Sequence, residues 1–158
     1  MSESHSLIGR EVPDFAIAAT GAKTFRLSEQ RGKHVVLYFY PKDSTPGCTA
    51  EGQQFRDLYD QFVAAGAIVV GVSRDSLKSH ENFKAKMNFP FDLLSDGDEA
   101  LCTLFGVIKM KNMYGKQVRG IERSTFVIDR AGVVRFEQRG VKVPGHGEAL
   151  LAFVRSLG

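Results

Sequence analysis

Residues 34–51 read HVVLYFYPKDSTPGCTAE. The first seven of them are almost continuously apolar and rich in β-branched and aromatic side chains, a pattern typical of a strand covered on both faces. A short polar loop follows. Thr45 and Pro46 are then the residue types favoured at the N-cap and at the first position of a helix. The stretch therefore predicts a buried strand, a loop and a helix whose N-cap is Thr45.

The predicted helix is followed by a second strand of the buried type. Gly66 marks the end of the helix, and Ala67–Ser73 is again apolar and β-branched. The apolar face of the helix recurs at helical spacing and consists of Phe55, Leu58, Tyr59, Phe62 and Val63. Strand, helix and strand at this spacing predict a βαβ unit with two parallel strands and a right-handed crossover.

The rest of the chain predicts further elements from the same signals. In chain order these are an N-terminal arm or edge strand at 12–18, a hairpin partner at 23–27, a helix at 76–87, a short strand at 91–94, a helix at 99–105 with Ala100, Leu101, Leu104 and Phe105 in the core, an antiparallel hairpin at 124–137 and a helix from Glu148 onward. Residues 106–120 lack periodicity and predict a long surface loop, with at most a short strand at 107–108. This order predicts a single domain over residues 1–158, an α/β thioredoxin-like fold with an N-terminal extension and a central mixed sheet flanked by helices.

Composition excludes several classes of function. A net charge of +3 over 158 residues, without a long Lys/Arg run, argues against a nucleic-acid partner. The longest apolar run, Val35–Tyr40, is too short to span a membrane, and the first six residues carry no export pattern. Two cysteines without an export signal predict a reducing compartment, hence a cytoplasmic protein.

Cys48 is the candidate reactive group because it lies in the first turn of the predicted helix. Backbone N–H groups there have no intrahelical partner, and together with the helix dipole they favour a thiolate, the nucleophilic form. Gly47 leaves room for a small substrate, and Pro41 fixes the loop and shields one side. From position alone, an inert cysteine at a helix start is an equally good interpretation.

The spacing of these residues resembles a known family motif. Pro41, Thr45 and Cys48 form Pro-x-x-x-Thr-x-x-Cys, which resembles the peroxidatic-cysteine motif of the peroxiredoxins. The flanking Phe39-Tyr40-Pro41-Lys42 and Thr49-x-Glu51 look like its bacterioferritin comigratory protein, or peroxiredoxin Q, branch, and the resemblance covers almost the whole chain. It implies a cofactor-free peroxidase in antioxidant defence. Its thiolate attacks a hydroperoxide, which becomes water or an alcohol, and the cysteine becomes a sulfenic acid.

The resemblance also assigns roles to three further residues. Thr45 would hydrogen-bond the thiolate and the peroxide, and Arg123 matches an arginine that the family uses from a late strand. Glu51 matches a polar position that organises the loop and that arginine. Without the resemblance, Arg123 reads as a solvated charge at a strand start and Glu51 as an ordinary helix-face carboxylate.

Many members of the family have a resolving cysteine that reacts with the sulfenic acid, but this chain has none at either of the two usual positions. Gln53 and Lys84 stand where a resolving cysteine is expected, and Cys102 is the only other cysteine. Cys102 lies among apolar residues of a short helix, which favours a small buried side chain over a resolving role. The prediction is a monomeric enzyme with a one-cysteine cycle, reduced by thioredoxin, glutaredoxin or a small thiol. A Cys48–Cys102 disulfide remains the alternative.

Two other classes remain as rivals. A thiol–disulfide oxidoreductase on the same fold would need Cys-x-x-Cys, whereas Cys48 is followed by Thr49-Ala50-Glu51. The second rival is a non-catalytic thioredoxin-like binding or chaperone module. No metal is predicted, because the histidines lack ligand spacing with either cysteine, and His146 reads as a turn or helix-cap residue.

Overall fold

The computed structural model describes residues 6–158, so His5 and the rest of the first five residues lie outside it. The strands of this part of the chain are β1 (Ala16–Ala19), β2 (Lys23–Arg26), β3 (His34–Phe39), β4 (Ala67–Ser73), β5 (Leu93–Ser95), β6 (Ile108–Met113), β7 (Lys116–Ile121), β8 (Ser124–Ile128) and β9 (Val134–Arg139). Its α-helices are α1 (Pro46–Ala64), α2 (Leu77–Met87), α3 (Ala100–Phe105) and α4 (His146–Leu157), and Leu27–Gln30 forms one 3₁₀ turn.

Seven of these strands form one mixed sheet in the order β2-β1-β5-β4-β3-β8-β9. Strands β3, β4 and β5 run parallel, whereas β8, β9, β1 and β2 are joined to them by antiparallel pairing. The predicted βαβ unit is therefore confirmed as β3-α1-β4, and the predicted mixed sheet and the hairpin β8-β9 are confirmed too.

The two faces of the sheet carry separate cores. Because side chains alternate along a strand, successive residues of β3 point to opposite faces, and all six are buried. The face with Val36 and Tyr38 is covered by α1, α2 and α4, and we call it the α1 face. The face with Val35 and Leu37 is covered by α3 and the N-terminal segment, and we call it the α3 face.

Several predictions about single positions are wrong. The N-terminal strand begins only at Ala16 and lies between β2 and β5, so β2 forms the edge of the sheet. Val63 and Leu104 are 52% and 39% exposed, although both were expected in the core, and Ala100 is exposed as well. The predicted apolar faces were wider than the surface that the sheet covers.

The prediction of a long loop at 106–120 is also wrong. Residues in this region form a second, two-stranded sheet, β6-β7, whose register pairs Met113 with Lys116. The two residues between them, Tyr114 and Gly115, both have positive φ (53° and 79°), as a tight hairpin turn of this length requires. Most of the hairpin is exposed, so its sequence carries no burial pattern that would indicate a strand.

Candidate active site

The Cys48 thiol sits in the first turn of α1, at the end of the parallel strand β3. Thr45 is the N-cap, with an extended backbone (φ −89°, ψ 155°), and Pro46 is the first helical residue. The backbone N–H of Thr49 donates to the carbonyl of Thr45 at 2.9 Å and closes the first turn. Cys48 is only 2% exposed and packs in the core of the α1 face, so the thiol has a dry, sheltered position beside free backbone donors.

Thr45 does not have the contacts that the sequence predicted. Its hydroxyl donates to the backbone carbonyl of Lys42 at 2.8 Å, and its side chain makes no capping hydrogen bond. Thr45 therefore acts as N-cap through its backbone alone. The hydroxyl proton is directed into the loop in this structure, and the predicted hydrogen bond to the thiolate would require the hydroxyl to rotate.

Arg123 joins the thiol to a buried carboxylate. Its Nη2 atom lies 3.5 Å from Cys48 Sγ, and its Nη1 atom donates to Glu51 Oε1 at 2.7 Å. The arginine side chain is 17% exposed, and the Glu51 side chain is fully buried. Arg123 immediately precedes β8 and is not part of a strand, which corrects the expected placement. The predicted association of Arg123 with Cys48 and Glu51 is present.

Gly47 leaves room for the Arg123 guanidinium beside Cys48. A Cβ atom built on Gly47 would lie 3.0 Å from Arg123 Nη2, so any side chain there would press on the guanidinium. Pro41 is half-buried at the start of the loop between β3 and α1.

Glu51 lies one turn after Cys48 on the buried side of α1. Burial raises the pKa of Glu51 to about 7, against the opposing influence of the charge and hydrogen bond of Arg123. Only Oε1 is hydrogen-bonded, and Oε2 has no hydrogen-bond partner within the described part of the chain. Because this pKa is about 7, the buried Glu51 is present in both its charged and its neutral form near neutral pH.

His146 faces that free oxygen, which the sequence did not predict. It is the first residue of α4, two residues before the predicted helix start, and it is 4% exposed. Its Nε2 atom lies 2.9 Å from Thr125 Oγ1 and 3.9 Å from Glu51 Oε2. Burial, together with the charge of Arg123, lowers the pKa of His146 to about 4, so the ring is neutral near pH 7. Pro-Gly-His-Gly indicates a turn, and no sequence signal links it to α1.

Cys102 lies in the other core. It is fully buried on the α3 face, whereas Cys48 belongs to the α1 face. Burial, reinforced by a hydrogen bond to Asp96, raises the pKa of the Cys102 thiol far above its ordinary value. Both cysteines are free thiols. These surroundings suit an inert core residue.

One group of side chains has the composition of a metal site. Asp43, Asp75 and His80 each offer an atom within 4.8 Å of the others. His80 Nδ1 is hydrogen-bonded to Asp43 at 2.7 Å, and His80 Nε2 to the carbonyl of Leu94 at 2.9 Å. Because both ring nitrogens are already used, a metal ion would have to break a hydrogen bond to bind. Within residues 6–158, no helix is both long and apolar enough to cross a membrane.

Comparison with known proteins identifies the family of this chain. The model of the AhpC/TSA family matches residues 8–137. Peroxiredoxin Bcp of Xanthomonas campestris pv. campestris is 55% identical over 143 residues, which cover 90% of this chain and 89% of the relative.

Two groups of solved structures are similar over nearly the full length. A Xylella fastidiosa PrxQ mutant has a TM-score of 0.93 at 45% identity and covers 98% of this chain and 99% of its own. A Xanthomonas campestris bacterioferritin comigratory protein, solved in work on its alkyl peroxide reduction, has a TM-score of 0.87 at 54% identity, covering 90% and 91%. The predicted thioredoxin-like fold is thereby confirmed. The chain belongs to the AhpC/TSA family, in the bacterioferritin comigratory protein and peroxiredoxin Q branch of the peroxiredoxins.

Proposed function

We propose that this chain, a thiol-dependent peroxidase, reduces hydrogen peroxide and organic hydroperoxides through Cys48 in a one-cysteine cycle. The observation that carries the assignment of Cys48 is its contact with Arg123 at the start of α1. A cation beside the thiol favours the thiolate, and the same guanidinium offers donors to an oxygen atom that approaches the sulfur.

In the proposed reaction the thiolate attacks the terminal oxygen of the hydroperoxide. The S–O bond forms as the O–O bond breaks, and the remaining oxygen leaves as water or an alcohol after taking up a proton. Cys48 is thereby oxidised to the sulfenic acid, and the peroxide is reduced. Arg123 would stabilise the negative charge that develops on the departing oxygen, since a guanidinium stays charged and directs several donors.

Thr45, Gly47 and Pro41 would shape the approach of the peroxide. In our proposal the Thr45 hydroxyl turns from Lys42 toward the bound peroxide, at the cost of one hydrogen bond of ordinary strength. Gly47 would keep the path open beside Arg123, and Pro41 would close one side of it. Glu51 would hold the guanidinium in place through the 2.7 Å hydrogen bond.

Regeneration by an external thiol is supported by the surroundings of the second cysteine. One thiol condenses with the sulfenic acid, releasing water and leaving a mixed disulfide, and a second thiol then frees Cys48. Cys102 is separated from Cys48 by the central sheet. Lys84, which stands where the family often has a resolving cysteine, is instead in an ion pair with Asp92 at 2.8 Å.

The nature of the external thiol is part of the proposal. Thioredoxin, glutaredoxin and small thiols all supply the two electrons that the cycle needs, and a reducing cytoplasm keeps such thiols available. We propose a monomer, as the resemblance to the peroxiredoxin Q branch implies.

Peroxide consumption with dithiothreitol tests the function. We expect wild type and Cys48→Ser to differ completely, with Cys102→Ser as the matched control that retains activity. If Cys48→Ser consumed peroxide as fast as wild type, the peroxidase assignment would be wrong. Disulfide reduction by wild type without peroxide consumption would favour the thiol–disulfide oxidoreductase, and the absence of both activities would favour the binding module.

A further inference from the structure

The loop between β3 and α1 carries a residue in a costly conformation. Ser44 has a φ of 64°, in the left-handed region that residues other than glycine rarely adopt. Such residues persist where the surrounding structure holds them, and they occur often at active sites. Ser44 immediately precedes Thr45, the N-cap of the helix that carries Cys48. The contacts that hold this loop therefore also fix the position of the reactive turn.

Asp43 supplies those contacts. It is 7% exposed. Its Oδ1 atom accepts from Tyr40 Oη at 2.6 Å, and its Oδ2 atom accepts from Ser79 Oγ at 2.8 Å and lies 2.7 Å from His80 Nδ1. Its backbone N–H donates to Asp75 Oδ2 at 2.9 Å. Ser79 and His80 both belong to α2, so the side chain of Asp43 attaches the loop to that helix.

The geometry also fixes the number of protons that Asp43 and His80 share. A backbone carbonyl can only accept, so His80 Nε2, 2.9 Å from the carbonyl of Leu94, carries a proton. A second proton lies between Nδ1 and the carboxyl of Asp43, on either atom. The pair is then neutral overall, which suits its fully buried position, and both ring nitrogens are satisfied.

We propose that His80 is a positioning residue of the peroxidase: through Asp43 it holds the Pro41–Thr45 loop in the shape that presents Thr45 and Cys48 to the peroxide. His80 does not touch the thiol or Arg123 and takes no part in the chemistry. The inference rests on the proposed function. It adds that α2 and β5 control the geometry of the reaction, although neither contributes to the contact between Arg123 and Cys48.

The proposed role of His80 predicts different effects on two reactions of the Cys48 thiol. Reaction with a hydroperoxide needs the loop in its exact arrangement, and small displacements of a reacting group can lower a rate by about 10²-fold. Alkylation of Cys48, which is 2% exposed, needs the thiolate and enough room for iodoacetamide, but it does not need the arrangement of Thr45 and the loop that presents a peroxide. Loss of His80 is therefore expected to slow the first reaction far more than the second.

His80→Phe is the main test, measured by kcat/KM with hydrogen peroxide, by the alkylation rate of Cys48 and by the melting temperature. We expect kcat/KM to fall about 10- to 100-fold with little change in alkylation. Unchanged kcat/KM, or a parallel loss of both rates, would overturn the proposal. If wild type itself consumed no peroxide, the proposed function would have failed first, which distinguishes the two failures.

Further variants at Ser79 and Asp43, with a control at His34, keep the test valid if His80→Phe does not fold. Ser79→Ala removes one donor to Asp43 from a half-buried position and should lower kcat/KM in the same selective way. Asp43→Asn keeps the shape and can pair with a neutral His80, so it should retain more activity than Asp43→Ala. His34→Phe is the matched control: His34 is a buried histidine at the other end of β3 whose ring nitrogens have no partner in residues 6–158. It should leave kcat/KM unchanged.

Discussion

Cys48 and Cys102 lie on opposite faces of the central sheet. Cys48 belongs to the same buried cluster as Tyr38 on the α1 face, and Cys102 to the same cluster as Leu37 on the α3 face. Successive residues of one fully buried strand thus stand between the two thiols. For the two sulfurs to meet, the first turn of α1 or the helix α3 would have to unwind from the sheet and expose buried side chains.

We therefore predict that oxidation gives no disulfide within the chain. Protein treated with one equivalent of hydrogen peroxide and then alkylated should show oxidation at Cys48 and a free thiol at Cys102 by peptide mass spectrometry. Excess peroxide should drive Cys48 on to the sulfinic acid, since no second thiol intercepts the sulfenic acid. Cys102→Ser should behave like wild type. An intrachain Cys48–Cys102 disulfide as the main product would contradict both the prediction and the one-cysteine cycle.

Arg123 is predicted to be needed for its shape as well as its charge. Its two terminal nitrogens contact Cys48 and Glu51 separately, which a single ammonium group does not reproduce. We expect Arg123→Lys to lower kcat/KM for peroxide by about 10²- to 10³-fold, the loss typical of removing one preorganised donor. Stopped-flow measurement of peroxide reduction checks this value.

Arg119→Lys is the control for Arg123→Lys. Arg119 is an exposed arginine of the β6-β7 hairpin that is paired with Glu99. The control should leave kcat/KM unchanged. Equal activity of Arg123→Lys and wild type would show that charge alone is sufficient at position 123.

Much of the fold follows from local patterns, and the errors fall where burial is decided by distant elements. The uninterrupted apolar runs at His34–Tyr40 and Ala67–Ser73 predicted β3 and β4 correctly, because a strand covered on both faces leaves that signature. The β6-β7 hairpin leaves no such pattern because both of its faces are largely exposed. Val63 continues the apolar face of α1, and only the position of the sheet determines that it is exposed.

At the active site, too, residues with a local signal could be predicted, and residues that depend on distant elements could not. Cys48 was indicated by a local feature, the first turn of a helix, and Arg123 and Glu51 were reached through the family resemblance. His146 and His80 could not be predicted as site residues. Each has its role only because α4 or α2 brings it against a residue from another part of the chain. A single histidine in a sequence carries no mark of such a partner.

Glu51 should make the protein less stable as pH rises. Its pKa is about 7 in the folded chain and near its ordinary value of 4.5 when unfolded, so between these values the folded state binds more protons. The stability gained from the protonated form is complete below pH 4.5 and is lost as pH rises through 7, a change of roughly 3 kcal/mol. Urea unfolding of wild type and Glu51→Gln from pH 6.5 to 8 checks the last part of this change, on the order of 1 kcal/mol, because the variant stays neutral and should lack this slope. Equal slopes would refute it.

His146 should have the opposite effect on the pH dependence of folding stability, and at lower pH. With a folded pKa of about 4 against an ordinary 6.5, it makes the protein less stable as pH falls between those values. In wild type the two effects should nearly cancel between pH 4.5 and 6.5. Glu51→Gln should therefore reveal a loss of stability on the acid side, and a second substitution, His146→Asn, should remove it. A flat acid-side profile in Glu51→Gln would show that His146 does not titrate as expected.

Gly52 is predicted to be required by packing, against the ordinary preference for alanine inside a helix. A Cβ atom on Gly52 would lie 2.4 Å from Cζ of Phe89, well inside van der Waals contact. Alanine would gain about 1 kcal/mol of helix propensity. It would lose about 1–3 kcal/mol to overpacking, because both residues are buried. We expect Gly52→Ala to be no more stable than wild type, and to displace the first turns of α1.

In a double-mutant cycle with Phe89→Leu, the alanine should become favourable once the ring is removed. A stabilised Gly52→Ala single variant would show that Phe89 moves aside freely and that the contact does not restrain α1 next to Cys48.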